Sequence, residues 1–266
     1  MDLFLHRLMP CWVLCVGLGM PWVCSAQIVN VFSGLPFTPA QGWGAGADAA
    51  VSWRTGNSDA LSVGTGGQVF LQKGSHLGYV TARYRVVSQL GRKSVNQTYE
   101  HVRYRYSFTP KLALESYLQH EWDVRLLLDV RMLAGAGLRW VCVDHVGWGV
   151  ALGAGYLFEY EALQQPSPGE GTHNTHTRVS SYAQFSYALD ERIRLQNVLF
   201  VQPRITPGRF ESAVGDVLLM NEASVTVKIT RTLNMKTTFM LRYDSRPPGN
   251  IKGMDTLLET SLGWVL

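Results

Sequence analysis

The chain has 266 residues, a formal charge of +4 and only 17% Asp, Glu, Lys and Arg, below the quarter usual in soluble domains. Its mean hydropathy is +0.00, and its apolar residues are spread evenly rather than in blocks, which speaks against a helical membrane protein. It contains no lysine/arginine block, zinc-ligand spacing or RNA-binding aromatic motif, so the weak positive charge reads as solvated surface and no nucleic-acid partner is expected.

Residues 1–26 stand apart. Arg7 supplies a positive start, Pro10 to Val23 is apolar, and Cys24-Ser25-Ala26 ends in small residues, the pattern of a signal peptide cleaved after Ala26. The apolar run falls short of the roughly 20 residues that span a bilayer. Trp22-Val23 does not suit a lipoprotein anchor at Cys24. Cleavage removes Cys11, Cys15 and Cys24 and leaves Cys142 without an intramolecular disulfide partner. No other segment resembles a transmembrane helix, so the exported chain either stays soluble or enters a membrane as β-structure.

Residues 27–41, with Pro36 and Pro39, show no period and are assigned as a periplasmic lead. From 42 to 266 the chain divides into twelve alternating runs, each near the ten residues that a tilted membrane strand needs. They are 42–54, 60–72, 76–88, 96–108, 112–123, 129–142, 146–160, 174–188, 192–204, 215–230, 233–246 and 254–266. In 96–108, Val102, Tyr104, Tyr106 and Phe108 fall on one face, with Tyr99, His101, Arg103 and Arg105 on the other. In 233–246, Leu233, Met235, Phe239, Leu241 and Tyr243 oppose Asn234, Lys236, Thr238, Arg242 and Asp244.

Connections sort by parity. Those after even-numbered runs are short: Lys73-Gly74-Ser75, Thr109-Pro110-Lys111, Val143-Asp144-His145, Asp190-Glu191-Arg192 and Arg231-Thr232. Those after odd-numbered runs (55–59, 89–95, 124–128, 161–173, 205–214, 247–253) are mostly longer. Short periplasmic turns and longer external loops are the mark of an outer-membrane barrel. The expected fold is therefore all-β: a transmembrane, antiparallel, up-and-down barrel of about twelve strands over 42–266.

Such a barrel turns its apolar face to lipid and its polar face to the lumen. The expected lumen-lining residues are Arg83, Arg85, Arg103, Arg105, Arg131, Arg139, Arg178, Lys228 and Arg242, with Glu115, Glu121, Glu159, Glu222 and Glu259. A cation on the lipid face costs roughly 2–4 kcal/mol at mid-depth, which directs these arginines inward. The expected interface aromatics are Tyr84, Tyr106, Trp140, Trp148, Tyr160, Tyr243 and Trp264.

Gly42-Trp43-Gly44, the segment Ser52-Trp53-Arg54-Thr55-Gly56-Asn57-Ser58-Asp59, Arg103-Tyr104-Arg105-Tyr106, Thr109-Pro110-Lys111-Leu112-Ala113-Leu114-Glu115 and Leu133-Ala134-Gly135-Ala136-Gly137-Leu138-Arg139 occur in that order. The series resembles the bacterial family of salt-stress-induced outer-membrane proteins known as DUF481, most strongly over the first half of the chain. The resemblance implies an outer-membrane barrel with no established activity and no catalytic residues to carry over. Outer-membrane chains usually end in an aromatic residue read by the barrel-assembly machinery. This one ends in Leu266, with Trp264 and Leu262 keeping the alternation.

Two readings of the charged inner face remain open. Mutual pairing of arginines and glutamates would plug the barrel, whereas an excess of cations would line a pore for anions. No His is followed by Ser at the spacing of an outer-membrane lipase. Asp144-His145, in a short turn, reads as turn chemistry. His173 and His176 flank a loop without the further ligands that a metal site needs. Gly135, Gly137, Gly153 and Gly155 lack the βαβ context of a dinucleotide fingerprint and read as relief of crowding or strand bends. No cofactor, metal or catalytic residue is expected, and the chain is not read as an enzyme. The expected function is a narrow porin-like channel or permeability protein under osmotic stress. The alternatives are a closed structural barrel and an envelope enzyme acting on lipid or protein. The expected partners are outer-membrane lipid and, through the last strand, the assembly machinery, with the barrel a monomer.

Overall fold

The computed structural model describes residues 37–54, 60–89, 92–123, 128–164, 171–205, 216–246 and 253–265. The signal-peptide assignment, most of the lead and most of the longer connections lie outside these residues. Twelve strands are present: β1 (Gly42–Arg54), β2 (Ala60–Lys73), β3 (His76–Gln89), β4 (Arg92–Ser107), β5 (Leu112–Asp123), β6 (Leu128–His145), β7 (Trp148–Leu163), β8 (His173–Ala188), β9 (Ile193–Pro203), β10 (Val217–Lys228), β11 (Leu233–Asp244) and β12 (Met254–Val265). Each pairs antiparallel with its sequence neighbours, and β1 pairs with β12, so the sheet closes on itself. Closure gives every strand a partner on both sides, the arrangement that lets a sheet sit in hydrocarbon. The seam is short, running from Gly46 opposite Val265 to Ala49 opposite Leu262.

Period-two patterning builds the wall. In β5, Ala113, Glu115 and Glu121 are buried, while Leu112, Leu114 and Leu118 are exposed. Three short turns use one device. The side-chain oxygens of Thr109, Asp190 and Thr230 each accept backbone N–H bonds from residues two and three ahead, at 2.6 to 3.3 Å, which fixes the hairpin register. The turn after β6 differs from the sequence expectation. Val143, Asp144 and His145 continue the strand, and the reversal falls at Val146-Gly147, where Gly147 takes a φ of 92° open to glycine. β4 also starts earlier than the pattern, at Arg92.

The apolar core lies inside the cylinder. Leu77, Tyr79, Tyr99, Tyr182, Val198, Phe200, Leu218, Met220 and Met240 form one buried cluster. The sequence expectation of a polar and charged inner face is corrected here. Val198-Leu199-Phe200-Val201 and Val217-Leu218-Leu219-Met220 are apolar on both faces, so their inward members pack together and fill part of the interior.

Candidate functional site

The interior charges fall into two networks and one chamber. Toward the short-turn end, Glu115 on β5 accepts from Arg103 Nη1 at 3.1 Å and from Arg105 Nε at 2.8 Å, both on β4. Tyr182 on β8 donates its hydroxyl to the same carboxylate at 2.7 Å, and Arg139 on β6 reaches the Tyr182 hydroxyl at 3.2 Å. These bonds cross the barrel between strands that are not neighbours. Phe37, from the segment preceding β1, is buried beside them: its ring occupies the space a Cβ at Gly149 would need, and the Arg139 guanidinium lies 5.3 Å from its centroid. The Thr38 hydroxyl donates to Asp144 at 3.1 Å, and Gln41 accepts from the Gly74 N–H at 2.8 Å. The lead therefore plugs part of the short-turn mouth.

Toward the opposite end, Glu159 on β7 sits between Arg131 on β6 and Arg178 on β8, accepting from their Nε atoms at 2.5 and 2.8 Å. Arg178 continues to Asp216 at 2.9 Å, which also pairs with Arg204 at 3.1 Å. Glu121 is fully buried nearby and accepts from Gln97 at 3.3 Å. Breaking such a buried pair by removing one partner typically costs about 3–5 kcal/mol.

Small inward residues make room for the side chains of these networks. A Cβ at Gly153 would fall within the ring of Tyr182, and one at Gly135 within the ring of Tyr117. Gly137 and Gly155, paired across β6 and β7, let two backbones approach too closely for any side chain. The sequence reading of these glycines as relief of crowding agrees with that geometry.

A chamber of about 340 Å³ runs along the β1 to β4 and β9 to β12 side. It runs from Asp190, Arg192 and Val265 at the short-turn end to Gly64, Arg85 and Gln97, which lie four or five residues from the far ends of β2, β3 and β4. Arg83, Arg85, Arg242, Lys228 and Glu259 line it together with Asp48, Arg194 and Lys236. Arg85 pairs with Glu259 across the interior, and Lys236 lies 3.6 Å from Glu222. Among the described residues, Arg83 makes no ion pair.

Each proposed lumen residue thus has a definite place. Arg103, Arg105, Glu115 and Arg139 meet at one end, and Arg131, Glu159, Arg178 and Glu121 at the other. Arg83, Arg85, Lys228, Arg242 and Glu259 face the chamber, with Glu222 buried behind Lys236 and Lys228 exposed at its mouth. Inward residues outside the expected set add both signs: Asp48 and Asp216, and Arg194, Arg204 and Lys236. Phe37 carried no periodic signal, lying in the lead; Asp216 falls within the run 215–230, in phase with the buried Leu218, Met220 and Glu222, but was not among the expected lumen residues. His173 and His176 do not converge: His173 accepts or donates to Tyr160 at 3.0 Å on the outer side, whereas His176 lies 3.6 Å from Glu161 inside.

Outside, Tyr84, Trp140, Trp148, Tyr243 and Trp264 are exposed, and Tyr106 and Tyr160 are partly so. Trp140, Trp148, Tyr106 and Trp264 lie near the short-turn ends of their strands, Tyr160 and Tyr243 near the opposite ends, and Tyr84 nearer the middle of β3. Leu118, Tyr156 and Leu258 are 63%, 64% and 71% exposed. The outer wall also carries an ionisable pair. Glu100 on β4 stands directly opposite His120 on β5, with Oε2 to Nδ1 at 2.6 Å.

The barrel is similar to the translocator domain of autotransporter NalP from Neisseria meningitidis, with a TM-score of 0.50 and 11% identity over 88% of this chain and 91% of that one. It is also similar to the NanC porin, with a TM-score of 0.48 and 11% identity over 84% of this chain and 97% of that one. At such identity the NalP likeness establishes fold alone. No curated protein sequence matches the chain significantly. The model of DUF481, a family of proteins of unknown function, matches residues 47–265, and the chain belongs to that family.

Proposed function

We propose that this protein is an outer-membrane barrel providing a narrow passage for small solutes, with a preference for anions. The observation that carries the reading is the chamber, which extends along most of the barrel wall while the other half of the interior is packed. Its lining has more cations than carboxylates, a composition that favours anions. The apolar outer wall supports placement in a membrane, since a soluble protein rarely exposes so continuous an apolar surface. In this reading the partners are outer-membrane lipid and, through β12, the assembly machinery, and one chain closes its own cylinder as a monomer.

The test is conductance of the refolded protein in planar bilayers. Discrete steps, with a reversal potential of anion preference in a salt gradient, are expected. Heat-modifiable, folded protein that yields no steps would overturn the passage. That result would favour a closed envelope barrel, a reading supported by the paired charges and by Phe37 in the short-turn mouth.

A further inference from the structure

We infer that the chamber is a binding site for a small hydroxylated oxyanion, a carboxylate- or phosphate-bearing solute of about monosaccharide size. The inference deepens the proposed passage by naming what it takes.

The chamber has two unlike walls. On one, Gly46, Gly64 and Gly263 of β1, β2 and β12 project no side chain of their own inward; the space is open over Gly64, while Gln68 borders that over Gly46 and Asn234 fills that over Gly263. A Cβ at Gly64 would meet only Arg85 Nε, at 3.8 Å. Flanking this wall, on the adjacent strands β3 and β11, are Arg83, Arg85 and Lys236. Arg85 and Lys236 are held by Glu259 and Glu222, whereas Arg83 has no ion-pair partner among the described residues. Arg83 and Asp48 are both near enough to Lys236 to act on its charge. A half-buried guanidinium with no salt-bridge partner, lining an open recess, suits an oxyanion, which it binds in a bidentate fork; Asp48, in register one strand beyond, lies over the intervening Gly66.

The rest of the lining suits hydroxyl groups. Asn234, Gln68, Gln196, Thr238 and Ser261 present amides and hydroxyls that both donate and accept. Lys228 and Arg192 at the mouth add a positive field that draws anions in. A volume of about 340 Å³ lies at the small end of ligand sites. The mixture of cations with several amides and hydroxyls fits an anionic group carrying hydroxyls better than a bare anion.

The experiment is calorimetric titration of the refolded protein in detergent with gluconate, inorganic phosphate and, as a neutral control, sorbitol. Saturable binding of gluconate is expected, with sorbitol silent. Binding of both anions also supports the site. Phosphate binding alone supports the oxyanion position and assigns the ligand to the phosphate class. Arg83→Gln should weaken binding about tenfold or more, the scale of a lost charge-assisted bond. Gly64→Leu, which fills the chamber without backbone strain, should abolish it, while Val80→Leu on the outer wall leaves it unchanged. If Arg83→Gln does not fold, Gly64→Leu decides. No saturable binding, equal binding of sorbitol, or binding untouched by Gly64→Leu would overturn the site. Binding without conductance would remove the passage and leave the site standing, and conductance that gluconate does not block would do the reverse.

Discussion

The hydroxyl of Tyr182 on β8 donates to the carboxylate of Glu115 on β5 across 2.7 Å. Three strand-to-strand steps separate these residues around the twelve-strand wall, so the bond cuts through the interior as a chord across about a quarter of the ring and ties non-adjacent strands together. Arg103 and Arg105 complete the shell of Glu115 from the neighbouring strand.

Glu115→Gln leaves two buried guanidinium groups without their carboxylate. It should destabilise the barrel by about 3–5 kcal/mol, read as a fall in the urea midpoint of unfolding from lipid vesicles. Tyr182→Phe removes one hydrogen bond and should cost only about 1–2 kcal/mol. Equal effects of the two would contradict the assignment of Glu115 as the hub.

Gly153→Val places a side chain within the Tyr182 ring and should cost about 1–3 kcal/mol through overpacking. The double variant Gly153→Val with Tyr182→Ala should recover part of that loss. A double-mutant cycle showing simple additivity would mean that the two positions do not touch.

Phe37→Ala empties the space over Gly149 and beside Arg139. If the passage conducts, the variant should show a larger single-channel conductance while still assembling. Unchanged conductance would place the path wholly within the chamber.

On the outer wall, His120→Leu leaves Glu100 without its partner and should destabilise the barrel by about 1–2 kcal/mol, the scale of an acidic group exposed to lipid. The double variant with Glu100→Leu should restore stability, since an apolar pair suits the hydrocarbon face.

The architecture was legible where one face is apolar and the other polar. β1 and β5 match their alternating runs residue for residue, because a slip of one residue would invert every side chain. The pattern said less where that contrast vanishes. In β10, Leu218 and Met220 point into the barrel while Leu219 lies on the opposite face, and a run of like residues has no period to show its inner members. The interior pairings were not legible either, because Glu115 meets Tyr182 only through closure of the sheet. Phe37 belongs to a segment without repeat, and only the bare Gly149 beneath it hints at an incoming ring.

The central claim is that hydrocarbon contacts one face of every strand and that the arginines and their carboxylate partners turn away from it, the outward Glu100–His120 pair standing apart. A nitroxide scan of β5, one cysteine at a time over residues 112–123 with Cys142 replaced by serine, tests it most directly in reconstituted vesicles. Period two is expected, with oxygen contact high at 112, 114, 116, 118, 120 and 122 and low at the positions between. A flat profile, or one with its maxima at 113, 115 and 121, would contradict it.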